Sequence, residues 1–97
     1  MNIEKKLENG RLVVALSGRL DTNTSPDLEG ELKLDGVSEV DFDFAALEYI
    51  SSAGLRVLMA TQKAMTACGG KMQISHPNAM VKGVFDMTGL SSVFTIV

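Results

Sequence analysis

The periodicities along this chain predict an α/β fold: a small mixed β-sheet of about four to five strands, with its helices packed mainly on one face. Three observations carry that prediction. Asn9-Gly10 stands between two alternating stretches, residues 3–7 and 11–17, and both residues of the pair tolerate the positive φ of a two-residue hairpin turn. Beyond residue 24, helix-period and strand-period segments take turns, which implies strand–helix–strand crossovers and so parallel pairing. Val40, Phe42 and Phe44 alternate with Glu39, Asp41 and Asp43, giving one core face and one polar face.

Taken in order, residues 3–7 and 11–17 form the opening hairpin, with Leu12, Val14 and Leu16 on one face. Residues 18–23 read as a loop centred on Asp21. Thr24 or Ser25 can cap the next helix, Pro26 suits its first position, and Asp27 and Glu29 place negative charge in its first turn. Leu28 and Leu32 face inward, Gly30 weakens the helix, and Gly36 ends it or the loop after it, so a short helix is expected. The clearest strand is 37–44, followed by a loop over 45–50. A second helix runs from Ser52 to about Ala67, with Leu55, Leu58, Met59, Met65 and Cys68 recurring on its buried side; Cys68-Gly69-Gly70 closes it with a left-handed glycine. Residues 71–75 make a strand in which Met72 and Ile74 alternate. His76-Pro77-Asn78 starts a third helix with Met80, Val81, Val84 and Phe85 as its stripe, and Gly89 ends it. Residues 93–97 read as a last short strand or an extended tail.

Ninety-seven residues suit one domain, 1–97, around one modest core. Hydrophobic residues at 45% and charged ones at 22% are ordinary for a globular protein. Twelve acidic against nine basic residues leave a net charge of −3, and the longest basic run is Lys5-Lys6. Nucleic-acid binding needs a concentrated basic surface, so that class is set aside. The single cysteine, Cys68, cannot form an internal disulfide and has no basic neighbour to activate it, so it reads as a small buried or half-buried residue. No apolar leader follows the first residues and no apolar run approaches the ~20 residues of a membrane span, so no membrane insertion and a cytoplasmic location are expected.

Catalysis is disfavoured on residue types. His76 is the only histidine and sits at a proline-containing helix start; Ile50 occupies the glycine position of a nucleophile elbow ending on Ser52; no phosphate-binding loop with its lysine is present. Asp41 and Asp43 read as a solvated strand face, since no histidine or further acid is spaced to complete a metal shell. The six methionines lie mostly on apolar stripes and read as core. The expectation is a protein that is not an enzyme and holds no metal and no cofactor.

The most informative stretch runs from Tyr49 to Leu58. Ser51 and Ser52 stand where a helix start wants an oxygen to accept from its free N–H groups. One serine can cap while the other is modified. Gly54 costs about 1 kcal/mol against alanine inside a helix, which suggests a close approach to the backbone at that point, as by the backbone of a partner.

Ser51-Ser52-Ala53-Gly54-Leu55 resembles the Asp-Ser-Ser/Thr-Gly-Leu signature of STAS domains, in particular the bacterial anti-sigma factor antagonists. Gly18-Arg19-Leu20-Asp21 with Thr22-Asn23-Thr24 is similar to that family's Gly-x-Leu-Asp-x-x-Thr. Val84-Phe85-Asp86-Met87-Thr88-Gly89-Leu90 is similar to its late Phe-x-x-Ser/Thr-Gly-Leu. The three segments lie in the family's order and span nearly the whole chain. Many relatives continue into a further helix, so a chain ending at Val97 is expected to be a minimal module.

The resemblance implies the same small sheet-and-helix architecture and a binding function. An antagonist of this kind binds an anti-sigma factor that is also a serine kinase, is phosphorylated by it, and is reset by a phosphatase. Aligned on Gly54-Leu55, the phosphoacceptor role falls on Ser52; Ser51 replaces the family's aspartate, and Ala53 stands where relatives have Ser or Thr. The partner surface implied is Asp21, Thr22, Asn23 and Thr24 from one loop with Ser51, Ser52, Ala53, Gly54 and Arg56 from the other, on a protein that is monomeric when free. The alternatives are a STAS scaffold or lipid-transport-complex subunit that docks without phosphorylation, and a nucleotide-binding sensor.

Overall fold

The computed structural model describes residues 1–97. β1 (Asn2–Glu8) and β2 (Arg11–Leu20) pair antiparallel with Leu7 opposite Leu12, and Asn9 and Gly10 turn between them at φ of 51° and 82°. α1 (Ser25–Glu31), β3 (Glu39–Ile50), α2 (Ser52–Ala67), β4 (Lys71–Ser75), α3 (Ala79–Thr88), a 3₁₀ turn at Leu90–Ser92 and β5 (Thr95–Ile96) follow. The sheet order is β1-β2-β3-β4-β5, with β2 through β5 parallel. Each parallel step carries one helix and all steps go the same way, so right-handed crossovers place the helices on one face. One cluster of 21 buried apolar residues lies between them, with Phe42, Phe44 and Phe85 wholly enclosed. No helix is long and apolar enough to cross a membrane.

Two strands run further than the alternation suggested. β2 continues through Gly18 to Leu20, and β3 continues through residues 45–50 rather than giving way to a loop. The pairing explains the broken pattern. Ala15 faces Asp43, but Ser17 faces Ala46; Gly18 faces Leu47, but Arg19 faces Tyr49. At each step β3 carries one extra residue, so these are bulges that reset which face each side chain takes. Gly18, at φ 87°, marks an irregularity within a strand, not its end.

Asp41 is not on a solvated face. It is buried, accepting from Arg11 Nη2 at 2.8 Å and from Ser75 Oγ at 3.1 Å. Arg11 and Ser75 lie on the strands flanking β3 and lean over it, so the polar face of the sheet covers its own central acid. Asp43 is half-buried, 3.5 Å from His76 Nδ1.

The buried side of α2 is Gly54, Leu55, Val57, Leu58, Thr61 and Met65. Thr61 escapes a hydropathy reading because its hydroxyl donates to the Val57 carbonyl at 2.8 Å, which satisfies it inside the core. Met59 lies on the outer side at 47% exposure, and Cys68, at the helix end, is also exposed. Only Met65 and Met72 of the six methionines are buried; Met80 on α3 is exposed and Met87 is 86% so. Gly69 and Gly89 take the left-handed conformation expected of helix-ending glycines, at φ 76° and 77°.

Candidate functional site

The loop after β2 and the start of α2 meet at the C-terminal edge of the parallel strands. Leu20 pairs with Ile50, and one residue on, the Ser51 N–H donates to the Leu20 carbonyl at 2.9 Å. The two segments picked out by the sequence, 21–24 and 51–56, are therefore neighbours by construction of the sheet.

Asp21 organises its own loop. Its Oδ1 accepts from the Asn23 and Thr24 N–H groups at 3.0 and 3.1 Å, and its N–H donates to Thr24 Oγ1 at 2.9 Å. The Thr24 N–H, foremost, holds the Asp21 carboxyl below the usual 3.8; partial burial opposes this, while the Asn23 N–H and Arg19 add to it. Arg19 stacks on Tyr49, with its guanidinium carbon 4.1 Å from the ring centroid, and lies 3.8 Å from Asp21 Oδ2. Thr24 Oγ1 donates to the Arg19 carbonyl at 2.9 Å, so Thr24 is the N-cap residue of α1 without capping through its side chain. Thr22 and Asn23 are exposed; Asp21 and Thr24 are half-buried.

At the other segment the two serines part company. Ser51 is the N-cap of α2, with extended backbone, and its Oγ accepts from the Gly54 N–H at a long 3.5 Å. Ser52 is the first helical residue and is exposed; Ala53 is half-buried and Arg56 is exposed. Gly54 is buried, and the close approach at its backbone comes from within the molecule. A Cβ there would stand 2.7 Å from Leu20 Cγ and 2.9 Å from Ile50 Cγ1. The glycine lets α2 sit down on the last residues of β2 and β3, so it is removed from the surface open to a partner.

Beside this junction a groove of about 510 Å³ runs between α1 and α2. Thr22, Ala53 and Arg56 line it, joined by Pro26, Glu29 and Val57. In the sequence Pro26 and Glu29 read only as parts of a helix start; the signal for the groove is the apolar pair Leu32 and Leu34 behind α1, both half-buried there and packed against the core. No three side chains of His, Cys, Asp or Glu gather in a metal-binding arrangement.

The family model described as the STAS domain matches residues 2–97. BtrV of Bordetella bronchiseptica, assigned as an anti-sigma factor antagonist, is 32% identical over 91 residues, covering 91% of this chain and 78% of that one. The anti-sigma F factor antagonist of Paenibacillus polymyxa is 28% identical over 102 aligned positions, covering 99% and 87%. In fold, the chain is similar to the anti-sigma factor antagonist SpoIIAA in its unphosphorylated form, with a TM-score of 0.86 at 18% identity over 99% of this chain and 88% of that one. It is also similar to the phosphorylated form of SpoIIAA from Bacillus, with a TM-score of 0.79 at 17% identity over 99% and 91%. With the family model covering all but the first residue, and a relative above 30% identity matched over most of both chains, this chain belongs to the STAS domain family.

Proposed function

We propose that this protein is an anti-sigma factor antagonist whose partner is an anti-sigma factor with serine-kinase activity, and that Ser52 is the switch. The names of its relatives support the first half of that reading. The observation that carries the second is the division of labour between adjacent hydroxyls: Ser51 takes the helix cap, and Ser52 stands exposed at the first position of α2. SpoIIAA, a structural relative, is itself known in unphosphorylated and phosphorylated forms.

In the proposed step, Ser52 Oγ attacks the γ-phosphorus of ATP. An Oγ–P bond forms, the bond from that phosphorus to the leaving ADP oxygen breaks, and the hydroxyl proton passes to a base of the kinase. The product carries about −1.5 to −2 charge. At a helix N-terminus that charge is locally favourable by roughly 0.3–1 kcal/mol, so the module stays folded. The effect falls on the partner. A hundredfold loss of affinity needs only about 2.7 kcal/mol, and like charges set across an interface supply several. The surface proposed for the partner is Asp21 through Thr24 with Ser51, Ser52, Ala53 and Arg56.

The test is intact-mass measurement after incubation with ATP and the anti-sigma kinase, on the wild type, Ser52→Ala and Ser51→Ala. The reading expects one added phosphate on the wild type and on Ser51→Ala, none on Ser52→Ala, and binding by Ser52→Ala that persists in ATP. Phosphate on Ser52→Ala together with none on Ser51→Ala moves the acceptor to Ser51. Phosphate on no variant leaves a STAS module that docks without modification.

A further inference from the structure

The chain has three arginines, and two are committed. Arg11 is paired with Asp41 and approaches Glu39; Arg19 is stacked on Tyr49 and approaches Asp21. Arg56 makes no ion pair. It stands exposed on the wall of the α1–α2 groove, with Glu29 among the groove's other lining residues but not in contact with it. It also lies four residues after Ser52 on the same helix, about 6 Å along the axis. Residues so spaced share one face, and helical side chains lean toward the N-terminus, so an exposed Arg56 is placed within reach of a group carried on Ser52.

Resting on the reading of Ser52 as phosphoacceptor, we propose that Arg56 is the internal receiver of the phosphate, drawn one turn back along α2 into an ion pair with phosphoserine 52. A guanidinium matches two phosphate oxygens with two parallel N–H donors. The dianion attracts it more strongly than the lone carboxylate of Glu29 can from across the groove. The consequence goes beyond added negative charge. Before modification, this end of the groove carries a free cation suited to a carboxylate on the partner. Afterwards the same cation is engaged in cis and the net charge there is reversed. Phosphorylation then withdraws an attractive contact as well as adding a repulsive one. Arg19 is the competing receiver from β2, but it is already held by Tyr49 and Asp21.

The test uses full-length protein with phosphoserine placed at position 52 during translation, so it does not depend on any kinase. The second ionisation of the phosphate is followed by ³¹P NMR against pH, and the Arg56 Nε–H by ¹⁵N correlation spectra. In the wild type the phosphate should lose its last proton about half a pH unit lower than in Arg56→Ala, roughly a threefold change in proton affinity. Arg56→Lys should recover only part of that difference, and high salt should shrink it. Arg19→Ala should leave it unchanged. Identical titrations for wild type and Arg56→Ala, or a difference abolished by Arg19→Ala instead, would overturn the assignment. A kinase that fails to modify Ser52 would sink the switch reading while leaving this measurement intact.

Discussion

α2 and α3 both begin where a strand of the sheet runs out, and both have a capping side chain, yet they are anchored by opposite means. At α3, Asn78 Oδ1 accepts from the Val81 N–H at 2.8 Å while its Nδ2 donates to the Leu47 and Glu48 carbonyls of β3, at 3.0 and 3.4 Å. One polar side chain caps the helix and ties it to the sheet. At α2 the cap contact is long, and the start is fixed instead by Gly54 packed against Leu20 and Ile50 and by the backbone bond from Ser51 to Leu20. A helix start anchored mainly by packing and backbone can leave the hydroxyl beside its cap, here that of Ser52, without a structural partner. One anchored by its polar side chain has nothing left to offer. On the proposed reading of Ser52, the start of α2 is then a place where a phosphate is added without loosening the fold.

If packing anchors α2, filling the space at Gly54 should do the most damage. Gly54→Val puts branched carbon where a single Cβ already meets Leu20 and Ile50 below 3 Å. A loss of about 3 kcal/mol is expected, the upper part of the range for overpacked cores. Urea denaturation measures it; a loss below about 1 kcal/mol would mean that α2 can lift off the strand ends freely.

Asn78→Ala should come next, costing about 1–2 kcal/mol from the lost cap and the two carbonyls of β3 left without it. Ser51→Ala should cost less, about 0.5 kcal/mol, because a 3.5 Å cap is weak. The pair is the direct test of the comparison: equal losses would show that α2 depends on its polar cap as much as α3 does.

The loop next to α2 adds an effect confined to acid. The folded pKa of Asp21 is lowered, so its contribution to stability is present above the ordinary carboxylate pKa and is lost as pH falls through the lower folded value. The stability gap between wild type and Asp21→Asn should therefore be open at neutral pH and close on acidification below about 3.8. Glu31, held low chiefly by its hydrogen bond from Lys5, titrates alike in both proteins and cancels. A gap that is flat with pH would mean that the amide replaces the carboxylate fully in the Asn23 and Thr24 bonds.

Much of this was legible in the chain. The hairpin at Asn9-Gly10, the strand at 71–75, the extent of α2 and the glycine ends of α2 and α3 follow local rules, and local rules are visible one residue at a time. What stayed hidden depends on neighbours. The bulges in β3 are defined only by its pairing with β2, so its second half looked like loop. Asp41 looked solvated because Arg11 and Ser75 reach it from other strands. Gly54 announced a close approach, and nothing in the sequence said that the approaching groups were Leu20 and Ile50. At the site, the resemblance named both segments, and the Leu20–Ser51 bond shows why they adjoin. The groove formed by α1 needed the packing of two helices.

The smallest expected effect is the one on which the comparison turns. Ser52 is exposed, follows the cap residue rather than being it, and lies at a helix position where alanine is at least as favourable as serine. Ser52→Ala should therefore change stability by no more than about 0.5 kcal/mol, in contrast to Asn78→Ala at the other helix start. Urea midpoints of the two variants measured side by side give the contrast directly. A near-zero result means that the hydroxyl has no structural task, which is what a residue free to carry a phosphate requires. A loss of 1 kcal/mol or more, on the scale of a true cap, would place Ser52 with Asn78 as a structural anchor. Phosphorylating it would then disturb the fold itself, and the claim that the switch acts only on the partner surface would fail.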